Sequence, residues 1–250
     1  VGALKIATET SGIVVTIGHT TSETTVADNL TVTGDFAAGN FKFGGAEFTS
    51  SMLIGHSTTG TLDAAGYNTG VGIEALDALT TGDLNTAMGY QAGTTVSTGT
   101  QNTFIGCYAG RDNNSTFNVA IGYSALQAPT SGTRNVAIGY RALMGTATGP
   151  AHNTIMGYEA GKVIQAATSN VCIGYQAGST LTTGDANVLI GKATTPDSIT
   201  GDRQLKIGTY DDTTTTTWIS GDSSGNVTMP AELAAATLDI SGAIDIAGAS

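Results

Sequence analysis

Asn118-Val119-Ala120-Ile121-Gly122-Tyr123-Ser124-Ala125-Leu126 is followed 17 residues later by Asn135-Val136-Ala137-Ile138-Gly139-Tyr140-Arg141-Ala142-Leu143. Asn85-Thr86-Ala87-Met88-Gly89-Tyr90-Gln91-Ala92-Gly93 is the same motif. Its asparagine recurs at Asn68, Asn85, Asn102, Asn118, Asn135, Asn153, Asn170 and Asn187, in steps of 17, 17, 16, 17, 18, 17 and 17 residues. A sustained period of this length marks a solenoid, in which each coil is too small to bury its own apolar face and stacks on its neighbours. Degenerate copies at Ser51-Met52-Leu53-Ile54-Gly55 and Gln204-Leu205-Lys206-Ile207-Gly208 keep the register, so ten coils are expected over residues 51–208. Residues 1–50 and 209–250 then read as flanking β shaft segments, giving three domains.

Between copies stands a turn signal, Ser or Thr followed by Gly, as in Thr81-Gly82, Thr98-Gly99, Ser131-Gly132 and Thr183-Gly184. Within the strand, side chains alternate, so the second and fourth positions share one face and the third lies opposite. The first face is Thr, Val, Ile and Met; the third position is Ala87, Phe104, Ala120, Ala137, Ile155, Cys172 and Leu189. Both faces are apolar, which predicts a strand buried on both sides. The third position is taken as the face that meets another chain. In the next segment Tyr and Ala are expected to share an inner face, with Gln91, Ser124, Arg141, Glu159 and Gln176 on a wet one.

The energetics point the same way. A coil buries about five apolar side chains at roughly 1.5–3 kcal/mol each, against roughly 1–2 kcal/mol of backbone entropy for every residue it orders. Stacking at about 4.8 Å per coil adds ladder hydrogen bonds and makes a rod about 45–50 Å long. The repeat asparagines fit left-handed turns and side-chain ladders, and Gly89, Gly122, Gly139, Gly157 and Gly174 fit sharp corners or close backbone approach.

Composition narrows the function. Only 12% of the 250 residues are charged and 6% aromatic, with 35 Gly, which argues for an all-β chain rather than a helical enzyme. The net charge of −11 is distributed as −3 over residues 1–50, −2 over 51–208 and −6 over 209–250. An acidic surface without a basic stripe disfavours nucleic acid as a partner, and no run of about 18 apolar residues predicts membrane insertion. Val1 at the start, and apolar–polar alternation still running through Ile240–Ile246, imply a piece of a longer chain.

Cys107 and Cys172 lie about four coils, or about 19 Å, apart at solenoid spacing, out of disulfide reach. His19, His56 and His152 have no partners at ligand spacing, so neither a metal nor a cofactor is expected. Asp63, Glu74, Asp77, Asp112 and Glu159 are the acidic candidates for a glycan-cleaving pair, but their spacing does not converge. A catalytic role is not expected. Tyrosines at 90, 108, 123, 140, 158 and 175 recur once per coil and are expected at the core or a corner. Loops 111–116 and 145–152 are the outward candidates for contact.

The motifs Asn-Val-Ala-Ile-Gly-Tyr and Asn-Thr-Ala-Met-Gly-Tyr resemble the repeats of trimeric autotransporter adhesin heads and of bacteriophage tail fibres, over residues 51–208. The resemblance implies a homotrimer of left-handed parallel β-rolls with the Asn-x-x-Ile-Gly strand toward the threefold axis. Segments 29–35, 218–228 and 237–242 are similar to phage shaft repeats. The implied function is a structural tail-fibre segment, part of a virion or extracellular appendage, with adhesion to a cell-surface glycan or protein as an added role. A bacterial adhesin head is the alternative and a glycan-degrading tailspike the third reading.

Overall fold

The computed structural model describes residues 41–45, 48–54, 64–128, 131–145 and 149–229. All belong to one unit, Gly39–Ser250. The segments 29–35 and 237–242, together with His19, His56 and Asp63, lie outside the described residues.

The described chain is all-β. Strands β1 (Phe41–Gly45) and β2 (Phe48–Ile54) precede eight three-residue strands, one per asparagine copy: β3 (Thr69–Val71), β4 (Thr86–Met88), β5 (Thr103–Ile105), β6 (Val119–Ile121), β7 (Val136–Ile138), β8 (Thr154–Met156), β9 (Val171–Ile173) and β10 (Val188–Ile190). Strands β11 (Leu205–Tyr210), β12 (Thr215–Gly221) and β13 (Val227–Thr228) follow. All pair in sequence order in one sheet. Pairing is parallel from β2 to β11 and antiparallel at β1–β2, β11–β12 and β12–β13. This is a parallel β-solenoid of about eight turns rather than ten. The degenerate copies stack in register, but beside each the chain doubles back as a hairpin and leaves the coil.

Register survives every change of step. Thr103 pairs with Val119 across the 16-residue step, and Val136 with Thr154 across the 18-residue one. Length variation is therefore absorbed outside the strands. The corner after each strand is a glycine; at Gly122, φ is 130° and an added Cβ would stand 2.5 Å from the Gly139 carbonyl oxygen of the next coil. Only glycine fits that corner.

The asparagines form a continuous buried ladder. Each side-chain oxygen accepts from the side-chain nitrogen of the next copy, as in Asn135 to Asn118 at 3.2 Å and Asn187 to Asn170 at 3.0 Å. It also accepts the next copy's backbone N–H, as Asn118 does from Asn135 at 3.0 Å. The remaining donor reaches a turn carbonyl, as Asn85 does to Gly99 at 2.9 Å and Asn153 to Ala167 at 3.0 Å. Gln204 continues the ladder onto Asn187 at 3.1 Å. The left-handed conformation expected of these asparagines belongs instead to the residue before each: Tyr67, Leu84, Gln101, Phe117, Arg134, His152, Ser169, Ala186 and Arg203 all have φ between 53° and 62°. That bend swings each asparagine inward to meet the ladder.

The faces of the strand are reversed from expectation. Ala87, Phe104, Ala120, Ala137, Ile155, Cys172 and Leu189 are fully buried within the single chain, so they cannot be an interchain face. In several coils their volumes are balanced by the residue six positions on; Ala87 is instead followed by Gly93, where Phe104 of the next coil fills the space. Phe104 faces Gly110, where a Cβ would come within 2.5 Å of the ring, whereas Ala120 and Ala137 are matched by buried Leu126 and Leu143. Near-native packing density leaves no room for two large residues at one level.

Candidate functional site

The second and fourth strand positions point outward. The columns are Thr69, Thr86, Thr103, Val119, Val136, Thr154, Val171, Val188 and Val71, Met88, Ile105, Ile121, Ile138, Met156, Ile173, Ile190. None carries a charge, and each is half-buried or exposed; Met88 is 44% exposed and Ile173 37%. Monomeric surfaces seldom keep an uncharged apolar strip of this continuity, roughly 35 Å along eight strands at 4.8 Å, without a partner.

Beside this strip runs the tyrosine row, which lies outside rather than at the core. Tyr90, Tyr123, Tyr140, Tyr158 and Tyr175 are exposed, while the neighbouring Ala92, Ala125, Ala142, Ala160 and Ala177 are fully buried. The intervening Gln91, Ser124, Arg141, Glu159 and Gln176 all have φ between 51° and 54°. A left-handed residue breaks strand alternation, so Tyr and Ala face opposite ways. Rings 123, 140, 158 and 175 stack at 5.0–5.3 Å with planes within 12°. Tyr108 stands one place later in its coil, where Cys107 holds the usual tyrosine position, and meets Tyr90 and Tyr123 edge-on at 5.4 and 5.7 Å. Such contacts contribute about 0.5–1.5 kcal/mol each.

The wet positions form a polar ladder, except for Ser124, which is buried. Glu74 accepts a short hydrogen bond from Gln91. Glu159 accepts from Lys162 Nζ at 2.8 Å and Gln176 Nε2 at 3.0 Å, with Arg141 at 3.9 Å. Lys162 and Gln176 hold the Glu159 carboxyl below its ordinary range.

The other candidates are occupied structurally. Asp112 forms a two-point ion pair with Arg111 at 2.9 and 2.7 Å. Asp83 and Asp185 each accept a backbone N–H of the preceding coil, from Gly66 and Thr168 at 2.6 Å. Asp77 shares a coil with Glu74, and Asp112 and Glu159 stand three coils apart, about 14 Å along the stack. Loop 111–116 is tied to the scaffold: Asn113 and Ser115 are buried, and the exposed Asn114 accepts three backbone N–H groups from Ser97, Thr98 and Gly99. Of loop 145–152, residues 146–148 lie outside the described ones. Burial pushes the Cys172 thiol up to about 12, and Cys107 is half-buried.

Two features escaped the sequence reading: the outward apolar strip, and the convergence of Arg141, Glu159 and Lys162 in adjacent coils. The second had a signal, since residues 141 and 159 occupy the same repeat position. No protein-family model matches the chain, and neither a curated protein nor a solved structure does.

Proposed function

We propose that the chain is a structural segment of a homotrimeric fibre, such as a phage tail fibre or a similar extracellular appendage, which stiffens the fibre and carries adhesive sites. The observation that carries this reading is the uncharged outward strip of β3–β10. Its strand is the one that the resemblance directs toward a threefold axis, with the second and fourth positions, not the third, as the contact.

A cyclic arrangement suits such a strip, because every copy offers the same surface and the assembly closes without open ends. The coil supplies rigidity through its ladders and buried core, so the function is mechanical and multivalent rather than catalytic. A weak site repeated three times on one rod gains avidity without new contacts.

Sedimentation velocity of the full 250-residue chain, with circular dichroism of the same sample, tests the reading. A β-rich, elongated particle of three chains supports it. A folded single-chain particle rejects it.

A further inference from the structure

Opposite charges occupy the same repeat position in successive coils at one place in the array, Arg141 and Glu159. The step between their coils, Asn135 to Asn153, is also the longest of the series at 18 residues. Beside them lies a cavity of about 320 Å³ lined by Arg141, Met144, Glu159, Lys162, Val163 and Gln165. That is far more than a water site needs and falls at the lower end of the range for small-ligand pockets, roughly 300–1,000 Å³.

The charges in this cavity are unequally used. The Glu159 carboxylate is already engaged by Lys162 and Gln176. Arg141 stands 3.9 Å from it, beyond hydrogen-bond length, with its guanidinium 5.2 Å over the Tyr140 ring. Its Nε is shut off from solvent without an acceptor, but the side chain as a whole is 42% exposed, which leaves the end of the guanidinium open to a ligand. The cavity thus holds two cations and one anion, and the less committed cation is a planar fork whose geometry matches a carboxylate.

The rest of the lining narrows the ligand. Met144 and the exposed Val163 offer an apolar wall, and the Gln165 amide offers both a donor and an acceptor. Glu159 opposes a phosphate dianion more strongly than a single carboxylate, and a neutral sugar would leave the Arg141 guanidinium without a charged hydrogen-bond acceptor. A sugar ring bearing one carboxylate satisfies the fork, the wall and the amide together.

We propose that this cavity binds a carboxylate-bearing sugar, a hexuronic or sialic acid unit of an acidic glycan, with Arg141 holding the carboxylate and Gln165 the hydroxyls. This gives the adhesive part of the fibre reading a ligand class; the cavity itself is formed within a single chain.

The test uses the full chain with its methionine methyls labelled with carbon-13, because Met144 lines the cavity. It is titrated with glucuronate, N-acetylneuraminate, glucose and inorganic phosphate while light scattering follows the mass. The expected result is a saturable shift of the Met144 methyl with at least one carboxylated sugar, absent with glucose and phosphate. Arg141→Gln is expected to weaken that binding at least tenfold and Lys162→Met less, at unchanged mass. Silence of Met144 toward both acids, an equal response to glucose, or undiminished binding by Arg141→Gln overturns the proposal. Should Arg141→Gln fail to fold, the wild-type titration and the Lys162→Met variant still decide. Silence in a three-chain particle removes the site and leaves the fibre reading; a response in a single-chain particle does the reverse.

Discussion

The inward and outward faces of β3–β10 are both apolar, but they are built by different rules. Inward, size varies sharply from coil to coil and is balanced within several of them: Phe104 against Gly110, Ile155 against Gly161, Ala120 against Leu126. Outward, size hardly varies, with Thr or Val in one column and Val, Ile or Met in the other. A closed core poses a separate volume problem at each level, which a neighbouring residue solves. A uniform column is what mates with another regular surface, and among the described residues the outward face has no compensating partner.

Substitutions can break this contrast. Ala137→Arg places an unpaired charge in the closed core, and a loss of more than about 5 kcal/mol is expected, with the chain unfolded in circular dichroism rather than merely dissociated. Asn135→Ala strips acceptors and donors from Asn118, Asn153 and Pro150, whose partners are buried. A loss of about 3 kcal/mol in urea-denaturation stability is expected, since orphaned buried groups cost about 1–3 kcal/mol apiece.

A thiol reagent draws the same boundary chemically. With its thiol pushed up to about 12 by burial, Cys172 should stay unlabelled at pH 8 in the native chain and react only on unfolding. Prompt labelling of both cysteines would show that the coil interior is open.

The smallest effect expected is at Glu159, on the half-buried polar ladder. Its folded carboxyl titrates below the ordinary value of 4.5, so its stabilising contribution is complete above that pH and is lost as pH falls through the lowered value. The difference in urea midpoint between wild type and Glu159→Gln should therefore shrink in acid, and the solvent-screened Lys162 and Arg141 partners keep it small throughout.

The period, the strand register and the asparagine ladder were legible because Asn and Gly recur at fixed places with a specific steric or hydrogen-bonding duty. Which face lay inside was not, because alternation separates two faces without ranking them when both are apolar. Size compensation would have ranked them: Phe104 with Gly110 and Leu126 with Ala120 describe one shared interior. The tyrosine row was misplaced because Gln91, Arg141 and Glu159 adopt left-handed φ, a conformation their side chains do not advertise. At the C-terminal end, Gln204 extends the ladder convincingly, but the shift in register between Ile207 and Gly208 and the turn to β12 depend on pairing that no local pattern announces. In the sequence Arg141 is a wet residue and Glu159 an isolated acid; they meet only when position 141 is stacked on position 159.

The most direct test of the outward strip as the assembly face is the solution mass of the full chain by light scattering, wild type beside Ile138→Glu. The account predicts three times the chain mass of 25.0 kDa for the wild type, and a folded, β-rich single chain for the variant. A wild-type mass of 25.0 kDa, or a variant that keeps the wild-type multiple, would contradict it.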